Sequence, residues 1–572
     1  MQVLFVFLDH DPRNLYQLKQ WIQPLQRLSS SHDVSVVYAS EMPVRELVAS
    51  GLKAFRVNLG QGLVDFLNEH EPKILLYPNQ NTLNFYATRY SRGIHAWVSH
   101  GESDKAYMSQ NTLKRYDLYF AAGPAARHRV LENVQGFAPD RIKMIGRPQL
   151  ADEHLPPSEF AARTSEFLKV LYAPTWEGAT TATQYGSITT HGLALVQRLI
   201  QLGHQVIYRP HPLAGTRDHE VAKADGEIRE VIDSANAGGG QHFVDQSSFG
   251  WQLEALDFMI TDVSAVAYDW LATGKPLIVT QPEHPDAVLI DAPLYNSMEL
   301  LGSDGVFELQ RHMFAAKQNA DAPDSQLSTL RAEYFGLAEA DELFKAAIEE
   351  AFQMQAALTA NLGATAEHLR PFARRAPWLR SLLRYPSFAL RMLLTLTGQW
   401  ATVRGNPPYI PNQPLRNLYV HFSDAFEVRS LVPVARELFE IARAEGEVYV
   451  ATNQATTYAA LKAHFWWHSR TPRSNKPRLN IIASTTSAEG ETLLQRLSTE
   501  RVLYLKDHPN NLMLLRLNGV EHFLYRPESD PSFEPTHSLT MYDVVVTNSP
   551  EAQAMVRNIL SISRPALQKF GS

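Results

Sequence analysis

The stretch Val3-Leu4-Phe5-Val6-Phe7-Leu8 is an uninterrupted apolar run near the start of the chain. Such a run is typical of a strand that is buried on both faces, as the strands of parallel sheets are. A helical pattern follows at 15–28, and a second apolar strand follows at 34–38. Because strand and helix alternate, the sequence predicts an α/β fold with helices on both faces of a parallel sheet.

The alternation continues through two units of the chain. Further strands of the first unit are predicted at 73–77, 95–99 and 118–121. Those of the second unit, which begins near residue 156, are predicted at 169–172, 205–208, 243–244, 258–261 and 276–279. We therefore expect Rossmann-like domains at 1–150 and 151–320. Two such units facing across a cleft are a common plan among nucleotide-dependent transferases.

Composition limits the class of protein. The chain has 572 residues, enough for three or four domains, and its 45% hydrophobic and 20% charged residues are ordinary for a globular protein. A net charge of -7 argues against general nucleic-acid binding, so a polyanionic partner has to meet a local basic site. The absence of cysteine excludes disulfides, thiolate zinc sites and a cysteine nucleophile.

The sequence contains no stretch that predicts a membrane span. The first apolar run is short and has no basic region before it, so it indicates a buried strand and not a signal peptide. No apolar stretch approaches the roughly 18–20 residues that a spanning helix needs. Within a predicted helical linker at 321–414, the segment 370–400 carries six Arg residues among large apolar ones. This pattern suits either a helix lying on an anionic membrane surface or a helix packed on the protein.

Residues 415–572 are predicted to be a degenerate repeat of the first domain. At a constant offset of 426, several residues of the first copy recur in the second. The matches are Gly93 with Gly519, Glu102-Ser103-Asp104 with Glu528-Ser529-Asp530, Leu113 with Leu539, Tyr116-Asp117 with Tyr542-Asp543, and Pro124 with Pro550. Because His100-Gly101 becomes Arg526-Pro527, we expect the second copy to be inactive on its own.

Polar stretches end four of the predicted strands, at the edge where open α/β sheets bind ligands. The stretches are Ser99-His100-Gly101-Glu102-Ser103-Asp104, Leu171-Tyr172-Ala173-Pro174-Thr175-Trp176-Glu177-Gly178, Tyr208-Arg209-Pro210-His211-Pro212 and Ile260-Thr261-Asp262-Val263-Ser264-Ala265.

Each stretch allows a functional and a structural interpretation. His100 could take a proton from an attacking hydroxyl, or it could be a structural loop histidine. Arg209 and His211 suit a diphosphate, or they could belong to a rigid turn set by the two prolines. The stretch at 260–265 leads into a helix whose first N–H groups could bind phosphate. Asp262 or Ser264 could instead be an ordinary N-cap, and the two roles are compatible.

The order of these motifs resembles the CDP-glycerol glycerophosphotransferase family, the polymerases of teichoic acids and related capsular polymers. The matching motifs are His100-Gly101, Gly146-Arg147-Pro148, Tyr172-Ala173-Pro174-Thr175, Arg209-Pro210-His211-Pro212, Ile260-Thr261-Asp262-Val263-Ser264-Ala265, Tyr268-Asp269 and Lys275-Pro276. The resemblance covers roughly residues 70–290. It implies a GT-B architecture of two facing Rossmann-like domains, the first on the acceptor side and the second binding the nucleotide donor.

The resemblance also implies roles for the matched residues. His100 is the expected general base, and His211 is the second expected catalytic residue. The expected donor-binding residues are Arg209, Thr261, Asp262, Ser264, Asp269 and Thr175. The chain departs from the family pattern at Val263, Ala265 and Gln149, which leaves fewer phosphate-binding groups and keeps CDP-ribitol or another activated donor open.

The expected enzyme moves a polyol-phosphate unit from a CDP-activated donor to a hydroxyl of a lipid-linked or growing cell-surface polymer and releases CMP. No cofactor is expected, and no Asp-x-Asp or His/Asp spacing predicts a metal site. The resemblance places the protein in the cytoplasm, peripheral on the inner face of the cell membrane. Two alternatives stay open: a GT-B glycosyltransferase using a nucleotide sugar in capsule or O-antigen synthesis, and a non-catalytic scaffold that binds an acidic polymer.

Overall fold

The structure is a computed structural model. It describes residues 1–39, 44–104, 106–152, 154–160, 167–178, 181–247, 249–289, 291–322, 325–336 and 339–362. In the C-terminal part it describes residues 419–421, 447–452, 478–483, 501–504, 507–526, 536–547, 554 and 566–569. The basic segment at 370–400 therefore lies outside the described residues.

The first domain is built on a seven-stranded parallel sheet with the order β3-β2-β1-β4-β5-β6-β7. Its strands are β1 (Val3–Phe7), β2 (Val34–Ala39), β3 (Lys53–Val57), β4 (Ile74–Tyr77), β5 (Ile94–Trp97), β6 (Leu118–Ala121) and β7 (Ile142–Met144). Every residue of β1 is buried, as its continuous apolar sequence predicts for a central strand covered on both faces.

Short helices cover both faces of this sheet. They are α1 (Tyr16–Lys19), α2 (Ile22–Ser29), α3 (Arg45–Ala49), α4 (Gln61–His70), α5 (Asn84–Ala87) and α6 (Pro124–Asn133). The helical stretch predicted at 15–28 is present, but the chain breaks between α1 and α2. Pro24 explains the break, because it has no N–H with which to bond the carbonyl four residues earlier.

The second domain has a five-stranded parallel sheet with the order β10-β9-β8-β11-β12. Its strands are β8 (Lys169–Ala173), β9 (Gln205–Tyr208), β10 (Phe243–Val244), β11 (Phe258–Thr261) and β12 (Leu277–Val279). Its helices are α7 (Leu193–Gln201), α8 (His219–Ala237), α9 (Trp251–Ala255), α10 (Ala265–Leu271), α11 (Pro293–Ser297) and α12 (Leu309–Asp321). The predicted α/β class with two Rossmann-like sheets is confirmed.

Two helices after the second sheet link the domains. Helix α13 (Gln326–Phe335) packs in the core of the second domain, through Leu327 and Leu330 among others. Helix α14 (Ala340–Leu362) returns to the core of the first domain, where Phe344 and Ile348 are buried. The helices at 326–335 and 340–362 agree with the helical character predicted for this stretch, and the domain bounds themselves stay a prediction.

A third parallel sheet lies in the C-terminal region. Its strands are β13 (Tyr419–His421), β14 (Glu447–Thr452), β15 (Arg478–Ala483), β16 (Arg501–Tyr504), β17 (Glu521–Arg526), β18 (Val544–Thr547) and β19 (Ala566–Lys569), and a short helix α15 (Leu512–Leu515) precedes β17. The order β15-β14-β13-β16-β17-β18-β19 matches that of the first sheet strand for strand.

The third sheet also repeats a buried hydrogen-bond pattern of the first. Tyr77 and His95 are joined through hydroxyl and Nδ1 at 2.8 Å, and Tyr504 and His522 are joined in the same way at 2.9 Å. The backbone N–H groups of these two histidines donate to Asp117 and Asp543, respectively.

These pairs correct the register proposed from the sequence. The Tyr and His pairs are offset by 427 positions and the Asp pair by 426, so the second copy is one residue shorter between them. The gapless match of Gly93 with Gly519 is therefore one residue out of register. The Glu528-Ser529-Asp530 match lies outside the described residues, and the repeat itself remains a prediction.

The two sheets with matching strand order contact each other through equivalent turns. The turn Asn111–Arg115 of the first domain packs against the turn His537–Met541 of the C-terminal region. The Nδ2 atom of Asn111 donates to the carbonyl oxygen of Leu515 at 2.9 Å, and Nδ1 of the equivalent His537 lies 3.2 Å from the carbonyl oxygen of Thr88. The contact is thus nearly self-complementary, like an isologous dimer interface within one chain.

Among the described residues, no helix is both long and apolar enough to cross a membrane.

Candidate functional site

The loop that follows β5, residues 99–104, carries the predicted base and is called the His100 loop below. Ser99 has φ +58°, a left-handed conformation that is uncommon for a residue other than glycine. Two hydrogen bonds hold Ser99. Its hydroxyl donates to the carbonyl oxygen of Gly101 at 2.8 Å, and its carbonyl oxygen accepts from the indole N–H of Trp21 at 2.6 Å. The loop therefore turns sharply at the carboxyl end of β5, where His100 stands.

The hydrogen bond of His100 indicates which ring nitrogen could act as a base. Its Nδ1 lies 2.9 Å from the carbonyl oxygen of Pro78, and a carbonyl can only accept, so Nδ1 carries the proton. In the neutral ring the lone pair is then on Nε2. The ring packs edge-on against Tyr16, with 5.7 Å between centroids.

His211 has the opposite arrangement. Its Nδ1 accepts the backbone N–H of Leu213 at 3.1 Å, so the proton of the neutral ring is on Nε2, which makes Nε2 a hydrogen-bond donor. The ring stacks on Trp176, and the backbone N–H of His211 donates to Pro174 at 3.0 Å. In their neutral forms the two histidines thus carry a lone pair and an N–H at Nε2, respectively, and their catalytic roles stay predictions.

Arg209 is already paired in the structure. Its guanidinium lies 3.2 Å from the carboxylate of Asp245 and donates to the carbonyl oxygen of Ser247 at 2.6 Å. Burial lowers the pKa of Arg209, and the nearby Asp245 opposes this shift. The predicted contact of Arg209 with a diphosphate remains a prediction.

Asp262 lies in the core beneath the carboxyl edge of the second sheet. It is fully buried and accepts hydrogen bonds from the backbone N–H groups of Thr175 and Ser187, at 2.7 and 3.1 Å, and from the hydroxyl of Thr280 at 2.6 Å. Burial raises the pKa of Asp262, and these hydrogen bonds oppose the shift. The contacts show that Asp262 ties loops from three neighbouring strands together, whereas direct donor binding by this carboxylate stays a prediction.

Thr261 and Ser264 stand at the start of helix α10. The Thr261 hydroxyl donates to the carbonyl oxygen of Ala173 at 2.7 Å. The hydroxyl oxygens of Thr261 and Ser264 lie 3.2 Å apart. Ser264 is the N-cap residue of α10, but its side chain makes no capping hydrogen bond. The Ser264 hydroxyl therefore stands at the start of α10 without capping it, and phosphate binding by this residue stays a prediction.

Asp269 joins the second domain to the first. Its carboxylate lies 2.7 Å from the guanidinium of Arg147, and both side chains are more than nine-tenths buried. Burial raises the pKa of Asp269, and Arg147 opposes the shift. Arg147 was missed as a site residue, although it stands in the Gly146-Arg147-Pro148 motif that marks the domain boundary.

The His100 loop reaches the same helix from the first domain. A Cβ placed on Gly101 would lie 3.9 Å from the Cβ of Ala265 and 3.5 Å from the guanidinium of Arg147. The structure therefore brings the His100 loop against the start of α10, beside Thr261 and Ser264. Sequence order alone could not show this, because the two segments are far apart in the chain.

Asp104, at the end of the His100 loop, was also missed. Its carboxylate pairs with Arg129 of α6 and accepts hydrogen bonds from the hydroxyls of Tyr268 and Tyr334, at 2.7 and 2.6 Å. Arg129 also pairs with Glu102. No local sequence signal identifies these partners, which come from three separate helices.

Glu177 orders the loop that follows His211. Its carboxylate accepts the backbone N–H groups of Gly215, Arg217 and Asp218 at 2.7–3.2 Å. Burial would raise the pKa of Glu177, but these hydrogen bonds outweigh it and lower the pKa. The guanidinium of Arg217 lies over the Trp176 ring, on which His211 also stacks. In the described part of the chain, no group of His, Asp and Glu is arranged to hold a metal ion.

Comparison with known proteins assigns the central part of the chain. Residues 110–286 match the family model of the CDP-glycerol:poly(glycerophosphate) glycerophosphotransferases. Over these residues the chain is similar to that family. The match confirms the resemblance noted from the motifs and the expectation of a glycerophosphotransferase-type enzyme. The matched segment contains the residues expected to bind the donor, whereas His100 precedes it.

Solved structures with low sequence identity resemble the chain. UDP-GlcNAc 2-epimerase from Neisseria meningitidis, bound to UDP-GlcNAc, is 15% identical and aligns with 61% of this chain and 100% of its own, with a TM-score of 0.40. The wall teichoic acid polymerase TagF is 12% identical and aligns with 62% of this chain and 90% of its own, with a TM-score of 0.40. A comparison with curated protein sequences finds no match.

Proposed function

We propose that this glycerophosphotransferase moves glycerol phosphate from CDP-glycerol to a hydroxyl of a teichoic-acid-like polymer and releases CMP. The observation that carries the proposal is the family match at 110–286, because it includes the carboxyl edge of the second sheet. Thr175, His211, Thr261 and Ser264 stand on that edge, and the His100 loop approaches it from the first domain.

The proposed reaction is an in-line displacement at phosphorus. The acceptor hydroxyl attacks the β-phosphorus of CDP-glycerol, the bond from that phosphorus to the bridging oxygen breaks, and CMP leaves with the bonding electrons. Nε2 of His100 takes the hydroxyl proton, and the N–H at Nε2 of His211 donates to a phosphate oxygen. Phosphoryl transfer depends mainly on positioning and charge stabilisation, so two oriented histidines and a helix start provide suitable chemistry.

The acceptor and the place of action belong to the same proposal. A lipid-linked or growing polymer, of the teichoic acid or capsule type, would present the attacking hydroxyl, and the protein would then work peripherally at the inner face of the membrane. Support comes from the family match and from the basic, apolar composition of the segment 370–400.

The test is CMP release by the purified chain with CDP-glycerol and a lipid-linked acceptor. We expect acceptor-dependent release by the wild type and near-complete loss in His100→Ala, with CDP-glycerol binding retained. His211→Ala should lose release and also bind the donor more weakly. His204→Ala is the matched control, because His204 also accepts a backbone N–H at Nδ1 but precedes β9, at the opposite edge of the sheet.

Different failures have different meanings. Unchanged turnover in His100→Ala would remove its role as the base. A wild type that neither binds CDP-glycerol nor releases CMP would refute the proposed donor, and binding of UDP- or GDP-sugars would then favour a glycosyltransferase on the same fold.

A further inference from the structure

We propose that Tyr268 and Tyr334 are positioning residues that hold the His100 loop against the donor-binding helix α10, acting through Asp104. The inference rests on the proposed function, because it assigns the two tyrosines a role in placing the base of that reaction. It concerns residues outside the predicted catalytic and donor-binding set.

The hydrogen bonds at Asp104 are made across the domain boundary. Its Oδ2 accepts from the hydroxyls of Tyr268 and Tyr334 at 2.7 and 2.6 Å, and its backbone N–H donates to the Tyr268 oxygen at 3.3 Å. Both tyrosines are fully buried, and their rings pack edge to face at 5.1 Å. Burial raises the pKa of each hydroxyl, so both keep their protons and donate to the carboxylate.

The second domain therefore takes part in holding the His100 loop at one of its two ends. At one end, Trp21 of the first domain bonds the carbonyl oxygen of Ser99. At the other, Asp104 pairs with Arg129 of the first domain and accepts hydrogen bonds from Tyr268 and Tyr334 of the second. The position of the Asp104 end therefore depends on contacts with the second domain as well as with the first.

Tyr268 lies in the same helix as the predicted phosphate-binding residue. It is one turn beyond Ser264 in α10, and the next residue, Asp269, pairs with Arg147 of the first domain. A shift of α10 that moves the donor phosphate therefore moves the attachment of the His100 loop as well. This coupling keeps the distance between the base, His100, and the attacked phosphorus constant.

Removing the hydroxyls isolates this effect. Phenylalanine keeps the ring packing of each tyrosine but removes its hydrogen bond to Asp104. Among the described residues, the buried Asp104 side chain then keeps its ion pair with Arg129. The Asp104 end of the loop then loses its attachment to the second domain. A misplacement of about 1 Å at a reacting group can lower the rate about 100-fold.

The experiment compares Tyr268→Phe, Tyr334→Phe and the double variant with Tyr185→Phe. Tyr185 is the matched control because its buried hydroxyl also donates one hydrogen bond, to Val288, but within the second domain. The measurements are kcat and KM for CDP-glycerol, the thermal midpoint of unfolding, and hydrogen exchange of backbone amides in the His100 loop.

We expect the double variant to lose about 10–100-fold in kcat while KM for CDP-glycerol stays within about twofold, since the donor groups are untouched. Exchange in the His100 loop should accelerate in the double variant and not in Tyr185→Phe. Unchanged kcat and unchanged loop exchange in a folded double variant would overturn the inference. The inference would also be overturned if the decrease in kcat across the variants followed their decrease in thermal midpoint, with no separate change in loop exchange. If the wild type releases no CMP, the proposed function fails, and the exchange comparison still tests the coupling.

Discussion

Replacing His537 with alanine tests how firmly the C-terminal region is attached to the first domain. His537 is buried, and its Nε2 lies 2.7 Å from a carboxylate oxygen of Asp117, while its Nδ1 faces the carbonyl oxygen of Thr88. Its ring also stacks on that of His95 at 4.4 Å. Both ring nitrogens of His537 therefore face oxygen atoms of the first domain.

The free-energy cost of the His537→Ala substitution follows from the buried charge that it leaves without its partner. Burial would raise the pKa of Asp117, but the neighbouring His537, together with His95, outweighs it and lowers the pKa, so the carboxylate is charged in the folded chain at neutral pH. Without His537 this charge stays buried, with the backbone N–H of His95 as a remaining partner. Removing one member of a buried pair typically costs about 3–5 kcal/mol. That corresponds to at least a roughly hundredfold increase in the equilibrium for opening the interface.

Hydrogen exchange of peptides that cover the turns Asn111–Arg115 and His537–Met541 measures this opening. His537→Asn is the informative control, because the equivalent residue of the first copy is Asn111, which bonds a carbonyl across the same interface. We expect the asparagine variant to lose much less protection than the alanine variant. Exchange within about twofold of wild type in His537→Ala would refute the assigned role of the pair.

Two further predictions concern stability. Burial lowers the pKa of His95 to about 3 and that of His522 to about 4, whereas a free imidazole has a pKa near 6.5. The unfolded chain therefore binds more protons than the folded chain below about pH 6.5, and the free energy of unfolding should fall as the pH drops from 6.5 towards about 4. Denaturant unfolding at several pH values measures this fall, and a free energy that does not change with pH would contradict the prediction. Gly123→Ala places a Cβ 2.3 Å from the carbonyl oxygen of Tyr334 and should cost about 1–3 kcal/mol in thermal or urea unfolding. Gly226→Ala, in the open middle of α8, should instead gain about 0.5–1 kcal/mol, and equal effects of the two would show that packing at residue 123 is not tight.

The central strands could be predicted from the sequence because each is a continuous apolar run. Val3–Phe7 and Phe258–Thr261 lie within two residues of their predicted bounds. The edge strands Lys53–Val57 and Ile142–Met144 were missed. Each contains a charged residue, Lys53 and Arg56 in the first and Lys143 in the second, and neither is buried throughout, so they lack the uninterrupted apolar signal that marks a strand buried on both faces.

In the candidate site, too, some residues could be predicted from the sequence and others could not. Residues that end a strand, such as His100 and His211, could be found because chemistry and position coincide in one short motif. The partners of Asp104 could not be found, since Tyr334 is 230 residues away and its role depends on how α13 packs against α6. Even for matched residues, the sequence could not tell that Asp262 would be enclosed by three loops.

The self-complementary contact between the first and third sheets has a consequence for assembly. When two matching surfaces belong to separate chains, their pairing depends on concentration and carries the entropic cost of bringing two bodies together. Here both surfaces belong to one polypeptide, so each meets the other at an effective concentration fixed by the connecting chain. The pair should therefore stay closed at any dilution, and the surface that would otherwise recruit a second molecule is already occupied.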